Sequence, residues 1–179
     1  MKPASAAKPR VWALPAALVL IAVVAPLYVL LGSCSKPQPV GYAHFATGAM
    51  SKLVVVPAPP AQSTAALAQA DGQTTTLAAY RGKVVLVNLW ATWCGPCMNE
   101  MPTLATLSRR MQGRNFVIVP VSVDATSEVP HAKEVLARLS GGALPFLNDP
   151  SRGILFDMGA EAMPTSILYD AQGHEIFRV

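Results

Sequence analysis

Between Val84 and Trp90 the sequence reads VVLVNLW, an almost unbroken apolar, β-branched run of the kind that a sheet buries on both faces. It predicts the central strand. A second run, Phe116–Val123 (FVIVPVSV), predicts another buried strand, and between the two Cys94–Arg110 reads as a helix that Pro102 should kink. Ala132, Val135, Leu136 and Leu139 recur at helical spacing and mark an amphipathic helix from about Pro130 to Ser140. Upstream, Ala66–Ala70 and Thr74–Leu77 flank Asp71-Gly72, a hairpin pattern. Downstream, Phe146-Leu147 is short, Gly153–Met158 predicts a brief helix, Thr165–Tyr169 a strand, Ala171–Gly173 a turn and Glu175–Val179 a last strand. Strand, helix, strand, helix and hairpin make an α/β sandwich over residues 63–179. No internal repeat is visible.

Composition adds what lies outside that domain. With 179 residues, 52% hydrophobic and 13% charged, the chain is too apolar for disorder and too short for a multidomain enzyme. Lys2, Lys8, Arg10, Lys36 and Lys52 precede residue 71 without an acidic partner, whereas the rest carries nine basic and ten acidic side chains, so +5 and −1 give the net +4. The folded part is nearly neutral, which argues against nucleic-acid binding. After a basic N-terminus over residues 1–10, Val11–Leu31 has no charge and, as a helix at about 1.5 Å per residue, would cross about 30 Å of hydrocarbon. The preceding cations predict a cytoplasmic N-terminus and an exported domain. Leu31-Gly32-Ser33-Cys34 resembles the bacterial lipoprotein cleavage box, so the tether is either this span or a lipid on Cys34. Residues 32–62, with Pro37, Pro39, Pro57, Pro59 and Pro60, read as a spacer, in which Gly41–Val56 either packs as a short helix or does not.

The chemistry lies in Trp93-Cys94-Gly95-Pro96-Cys97, where a buried strand gives way to a helix. Two intervening residues put the sulfurs on one helical face, close enough to bond. Unpaired amides and the dipole at the first turn favour an anion, so Cys94 should ionise more readily than a free thiol. Cys94 is the expected nucleophile, and the more buried Cys97 resolves the mixed disulfide it forms. Zinc is a poor alternative, since His44, His131 and His174 lack ligand spacing. Copper(I) is a better one, because Met98 and Met101 follow Cys97, although Met101 at the core face and Met98 as filler account for both.

The stretch VVLVNLWATWCGPCMNEMPTL, the Val-Ser-Val-Asp strand end and Met163-Pro164-Thr165-Ser166 resemble the thioredoxin superfamily, in particular its membrane-anchored TlpA-like branch with CcmG- and ResA-like cousins. The resemblance runs from about Gln73 to Val179. It implies a thioredoxin-like fold, a central mixed sheet flanked by helices. It also implies a cis Met163-Pro164 bond beside the cysteines, with the Met163 backbone offered to a substrate strand, and Trp93 shielding the redox pair. Glu100 is expected to be a solvated helix residue. The sequence departs from the family pattern at Asn88 and Pro120, where thioredoxins place a buried Asp and Lys, so Cys97 must lose its proton by another route. It departs again where the chain stops in or just after the last strand, short of the family's final helix. The expectation there is a truncated product, poorly stable alone.

The resemblance further implies a thiol:disulfide oxidoreductase needing no cofactor or metal beyond its own disulfide. The domain would be periplasmic, held at a bacterial inner membrane. The Gly95-Pro96 dipeptide is that of thioredoxin, which lies at about −270 mV, so reduction is the favoured direction. The expected clients are disulfides of apocytochrome c or of copper-delivery proteins, and the expected electron donor is a membrane thiol transporter. The rival expectations are a Cu(I)-binding assembly module on Cys94 and Cys97, and an inert remnant.

Overall fold

A computed structural model describes residues 46–179. The expected anchor over Val11–Leu31 and Cys34 lie outside them. Strands β1 (Leu67–Gln69), β2 (Thr74–Thr75), β3 (Val84–Trp90), β4 (Phe116–Ser122), β5 (Leu147–Asn148), β6 (Thr165–Tyr169) and β7 (Glu175–Arg178) form one sheet in the order β2-β1-β5-β4-β3-β6-β7. Among the described residues three α-helices accompany it: α1 (Gly95–Arg110), α2 (Val129–Ser140) and α3 (Gly153–Asp157).

The sheet is mixed for a reason visible in its connections. Strand β3 pairs in parallel with β4 through the α1 crossover and antiparallel with β6, while β5 runs parallel to β4 after α2. Parallel neighbours need a helical crossover, and both helices supply one. On the covered face of the sheet Val85, Val87 and Leu89 of β3 are almost fully buried, and Ile118, Val119 and Val121 of β4 and Ile167 and Tyr169 of β6 are buried too. Each such aliphatic side chain contributes about 1.5–3 kcal/mol on burial. The predicted β3 and β6 match the observed bounds, and the others shift by a residue or two at their ends.

Helix α2 buries Ala132, Val135 and Leu136 and ends on Gly141 in the left-handed region at φ 58°. Helix α1 continues through Pro102, whose carbonyl accepts from the Thr106 hydroxyl at 2.9 Å. It buries Cys97, Met101, Leu104 and Ala105, and Arg109 and Arg110 in its last turn face the negative end of its dipole. Arg109 also donates to the Ser140 carbonyl at 3.0 Å and Ser108 to the Ala143 carbonyl at 3.0 Å, joining the end of α1 to the end of α2.

The stretch before β1 is tied to the sheet. A 3-10 turn over Gly48–Met50 leads to buried Leu53, and Val54 exchanges backbone hydrogen bonds with Arg178 of β7 at 2.8 and 2.9 Å. A groove of about 660 Å³ lies open between α1 and the β3, β6 and β7 end of the sheet, lined by Leu86, Leu104, Leu107, Leu168 and Phe177 among others. Among the described residues no helix is long and apolar enough to cross a membrane.

Candidate active site

Strand β3 delivers the chain to the redox pair. Trp90 ends it fully buried, Thr92 and Trp93 turn, and Cys94 occupies the N-cap of α1 with extended backbone (φ −92°, ψ 95°). Pro96 sits in the first turn, where its missing N–H costs nothing because that donor would be unpaired in any case. A Cβ at Gly95 would meet nothing within 4 Å, so the small residue is not demanded by packing.

Cys94 and Cys97 are joined as a disulfide with Cα atoms 5.3 Å apart. The Cys97 amide donates to the Cys94 sulfur at 3.3 Å, so one of the orphan amides of the helix start already points at the atom that would carry charge. Exposure separates the two: Cys94 is 7% accessible and Cys97 0%. A substrate sulfur therefore reaches Cys94 first.

A cleft of about 400 Å³ opens beside Cys94, lined by Trp93, Gly95, Pro96, Leu155 and the backbone approach to Met163. The Met163-Pro164 peptide bond is cis, and Met163 lines this cleft. Trp93, Cys94, Gly95, Pro96 and Met163 thus line one cleft, with Cys97 bonded to Cys94 and buried. Trp93 is 62% exposed and forms a wall of the cleft.

The loop before Cys94 is held by a polar network centred on the Asp of the Val-Ser-Val-Asp strand end, whose partners the sequence alone does not name. Asp124 is fully buried, and its carboxylate accepts from the Thr92 amide at 3.0 and 3.1 Å, the Thr92 hydroxyl at 2.7 Å and the Ser122 hydroxyl at 2.8 Å. Asn148 donates to the Asp124 carbonyl at 3.0 Å, adding β5 to the same knot. A carboxylate ending a buried apolar strand was the available signal. What it binds depends on the parallel pairing of β3 and β4, which places Thr92 beside it.

Behind the cysteines, Asn88 is fully buried opposite Pro120 in the β3–β4 register. Its side-chain N–H donates to the Ser166 hydroxyl at 3.0 Å and toward the Glu100 carboxylate at 3.5 Å, while its Oδ1 has no donor among the described residues. Glu100 is exposed over part of its surface yet leans over Asn88. Loss of water raises its carboxyl above the ordinary carboxylate range, and the Asn88 N–H works against that rise. A carboxyl whose folded pKa is raised destabilises the fold when ionised, and that penalty vanishes as pH falls through the folded value. Glu100→Gln should therefore melt higher than the parent at about pH 8 and level with it at about pH 4, a difference thermal melts at both pH values would read.

Among the described residues no group of three or more His, Cys, Asp or Glu side chains converges as a metal site. The seven-stranded mixed sheet with a Cys-Gly-Pro-Cys disulfide at a helix N-cap beside a cis-proline defines a thioredoxin-like fold with a dithiol–disulfide centre. The Redoxin family model matches residues 31–178, and the chain belongs to that family. It is 34% identical over 107 residues to the thiol-disulfide oxidoreductase ResA of Geobacillus thermodenitrificans, covering 60% of each chain. The structure superposes on a thiol:disulfide interchange protein DsbE from Chlorobium tepidum with a TM-score of 0.60 and 27% identity, over 68% of this chain and 84% of that one. It also superposes on the exposed lipoprotein thioredoxin of Streptococcus pneumoniae with a TM-score of 0.56 and 26% identity, over 65% and 88%. The chain spans about 60% of the length of the curated relatives it matches.

Proposed function

We propose that the protein is a membrane-tethered, extracytoplasmic thiol:disulfide oxidoreductase that reduces protein disulfides, using no cofactor but its own cysteine pair. The observation that carries this is the Cys94 sulfur at the N-cap of α1, receiving the Cys97 amide at 3.3 Å with its partner buried beneath it.

In the reduced form the Cys94 thiolate attacks one sulfur of a substrate disulfide, forming a Cys94–substrate bond and releasing the other substrate sulfur as a thiolate, which takes a proton from solvent. Cys97 gives its proton to solvent and attacks the Cys94 sulfur, the Cys94–Cys97 bond forms as the Cys94–substrate bond breaks, and the second substrate sulfur leaves as a thiolate that takes a proton from solvent. Two electrons pass from the pair to the substrate. Tethering Cys97 a single helical turn away makes this resolution intramolecular, which favours it over attack by a free thiol. Recharging consumes two electrons from a dithiol donor, for which a membrane thiol transporter fits an exported domain in an oxidising compartment.

The clients we favour are disulfides of apocytochrome c or of copper-delivery proteins of oxidase assembly, a reading supported by the likeness to proteins named thiol-disulfide oxidoreductase and thiol:disulfide interchange protein. The tether is either the Val11–Leu31 span or a lipid on Cys34, the second in line with the pneumococcal relative being a lipoprotein. The test is to charge the full chain with dithiothreitol and offer it two oxidised peptides, one with the Cys-x-x-Cys-His haem-attachment pattern and one with a copper-site cysteine pair. Reduction of either, with oxidation of Cys94 and Cys97 in equal amount, is the expected result. A chain that leaves both peptides oxidised contradicts the reading.

A further inference from the structure

Arg152 is the only non-glycine residue with a left-handed backbone among those described, at φ 60° and ψ 13°. Side chains rarely occupy that region unless their surroundings hold them there. Its surroundings do. The Arg152 amide donates to the Asp149 carbonyl at 3.1 Å, and its Nε donates to the Val123 carbonyl at 3.2 Å, just past the end of β4. Asp149 is itself buried, and its carboxylate is occupied by the Ser151 amide at 3.0 Å and the Ile154 amide at 2.8 Å.

This frame aims the guanidinium at the Trp93 ring, with its carbon 5.9 Å from the ring centroid. Trp93 has little else to fix it: the side chain is 62% exposed and lies next to Cys94. Leu155, three residues beyond Arg152, lines the same cleft. One short turn therefore supplies a cleft wall directly and steadies another by stacking.

We propose that Arg152 is a positioning residue for substrate, its guanidinium holding the Trp93 indole as a fixed wall of the cleft beside Cys94. The inference rests on the reductase reading above. A planar cation over an exposed indole is worth about two- to fivefold in an equilibrium, so the effect is one of substrate fit and not of sulfur chemistry. An extended peptide lying in the cleft feels the wall. A small disulfide that touches only Cys94 does not.

The experiment measures kcat and KM for the full chain, for Arg152→Gly, for Trp93→Ala and for the double variant, each with a peptide disulfide and with hydroxyethyl disulfide. Glycine relieves the left-handed backbone, so Arg152→Gly should melt no lower than the parent while its KM for the peptide rises about two- to fivefold. Its kcat, its redox potential and its rate with the small disulfide should not move. In the Trp93→Ala background the same substitution should change KM by less than about twofold, because the ring it steadies is gone. A wild-type KM in Arg152→Gly, or losses that multiply in the double variant, overturns the inference alone. A parent chain that reduces neither disulfide overturns the reductase reading and this inference with it.

Discussion

Cys94→Ser should bring protein-disulfide reduction down to the uncatalysed background, a loss of at least about 10³-fold, whereas Cys97→Ser should stop turnover yet leave a stable mixed disulfide on Cys94. The asymmetry follows from position. Cys94 meets the cleft and receives an amide hydrogen bond from the first turn of α1, while Cys97 has no accessible surface. Removing the first sulfur removes the nucleophile. Removing the second removes only the step that releases the client, so the adduct accumulates and can be isolated without a reductant and mapped by mass spectrometry. Equal loss in both variants with no adduct in either would show that the pair does not act in this order. Neither variant should unfold the domain, since serine is smaller than cysteine and the hydrophobic residues around the pair remain.

Asp124→Ala should be the most damaging change outside the cysteines, costing about 2–4 kcal/mol and lowering the melting temperature by about 10 °C. The carboxylate is fully buried and collects the Thr92 amide and the Thr92 and Ser122 hydroxyls. Alanine leaves these donors without an acceptor in a dry place, where each unpaired group costs about 1–3 kcal/mol, although the two hydroxyls can rotate to other acceptors. The loss is also local to the site: Thr92 is two residues before Cys94, so the loop that sets the N-cap loosens. We expect kcat/KM to fall about tenfold at temperatures where the variant is still folded, with Asp124→Asn intermediate because one acceptor oxygen survives. A variant melting within about 1 °C of the parent would show that the network contributes nothing.

Much of this site was readable from the chain because its signals are local. An apolar run bounded by turns fixes β3, and a CxxC placed directly after it fixes both the helix start and the order of the sulfurs. The cis bond at Met163-Pro164 came from family resemblance and not from the residues themselves. Elements created by distant pairing were not readable. The placement of Thr92 beside Asp124 requires β3 and β4 to be in register, and the bridge from Val54 to Arg178 joins positions at opposite ends of the domain. Arg152 is the sharpest case: it precedes the brief helix expected from Gly153 and nothing in the local pattern marks it, yet it takes the left-handed conformation, its side chain anchored to Val123 and stacked toward Trp93. Glu100 is exposed on its helix as expected, but its approach to Asn88 was not legible, since it depends on how α1 lies across the sheet.

The central claim is that Cys94 is held where its charged form is favoured and its partner is kept out of reach. Alkylation of the freshly reduced full chain with iodoacetamide at about pH 6, where a free thiol is almost wholly protonated, tests it most directly when each cysteine is followed by mass spectrometry. The account predicts that Cys94 reacts at least about tenfold faster than glutathione under the same conditions and far faster than Cys97. Cys94 reacting no faster than glutathione, or Cys97 reacting first, would contradict it.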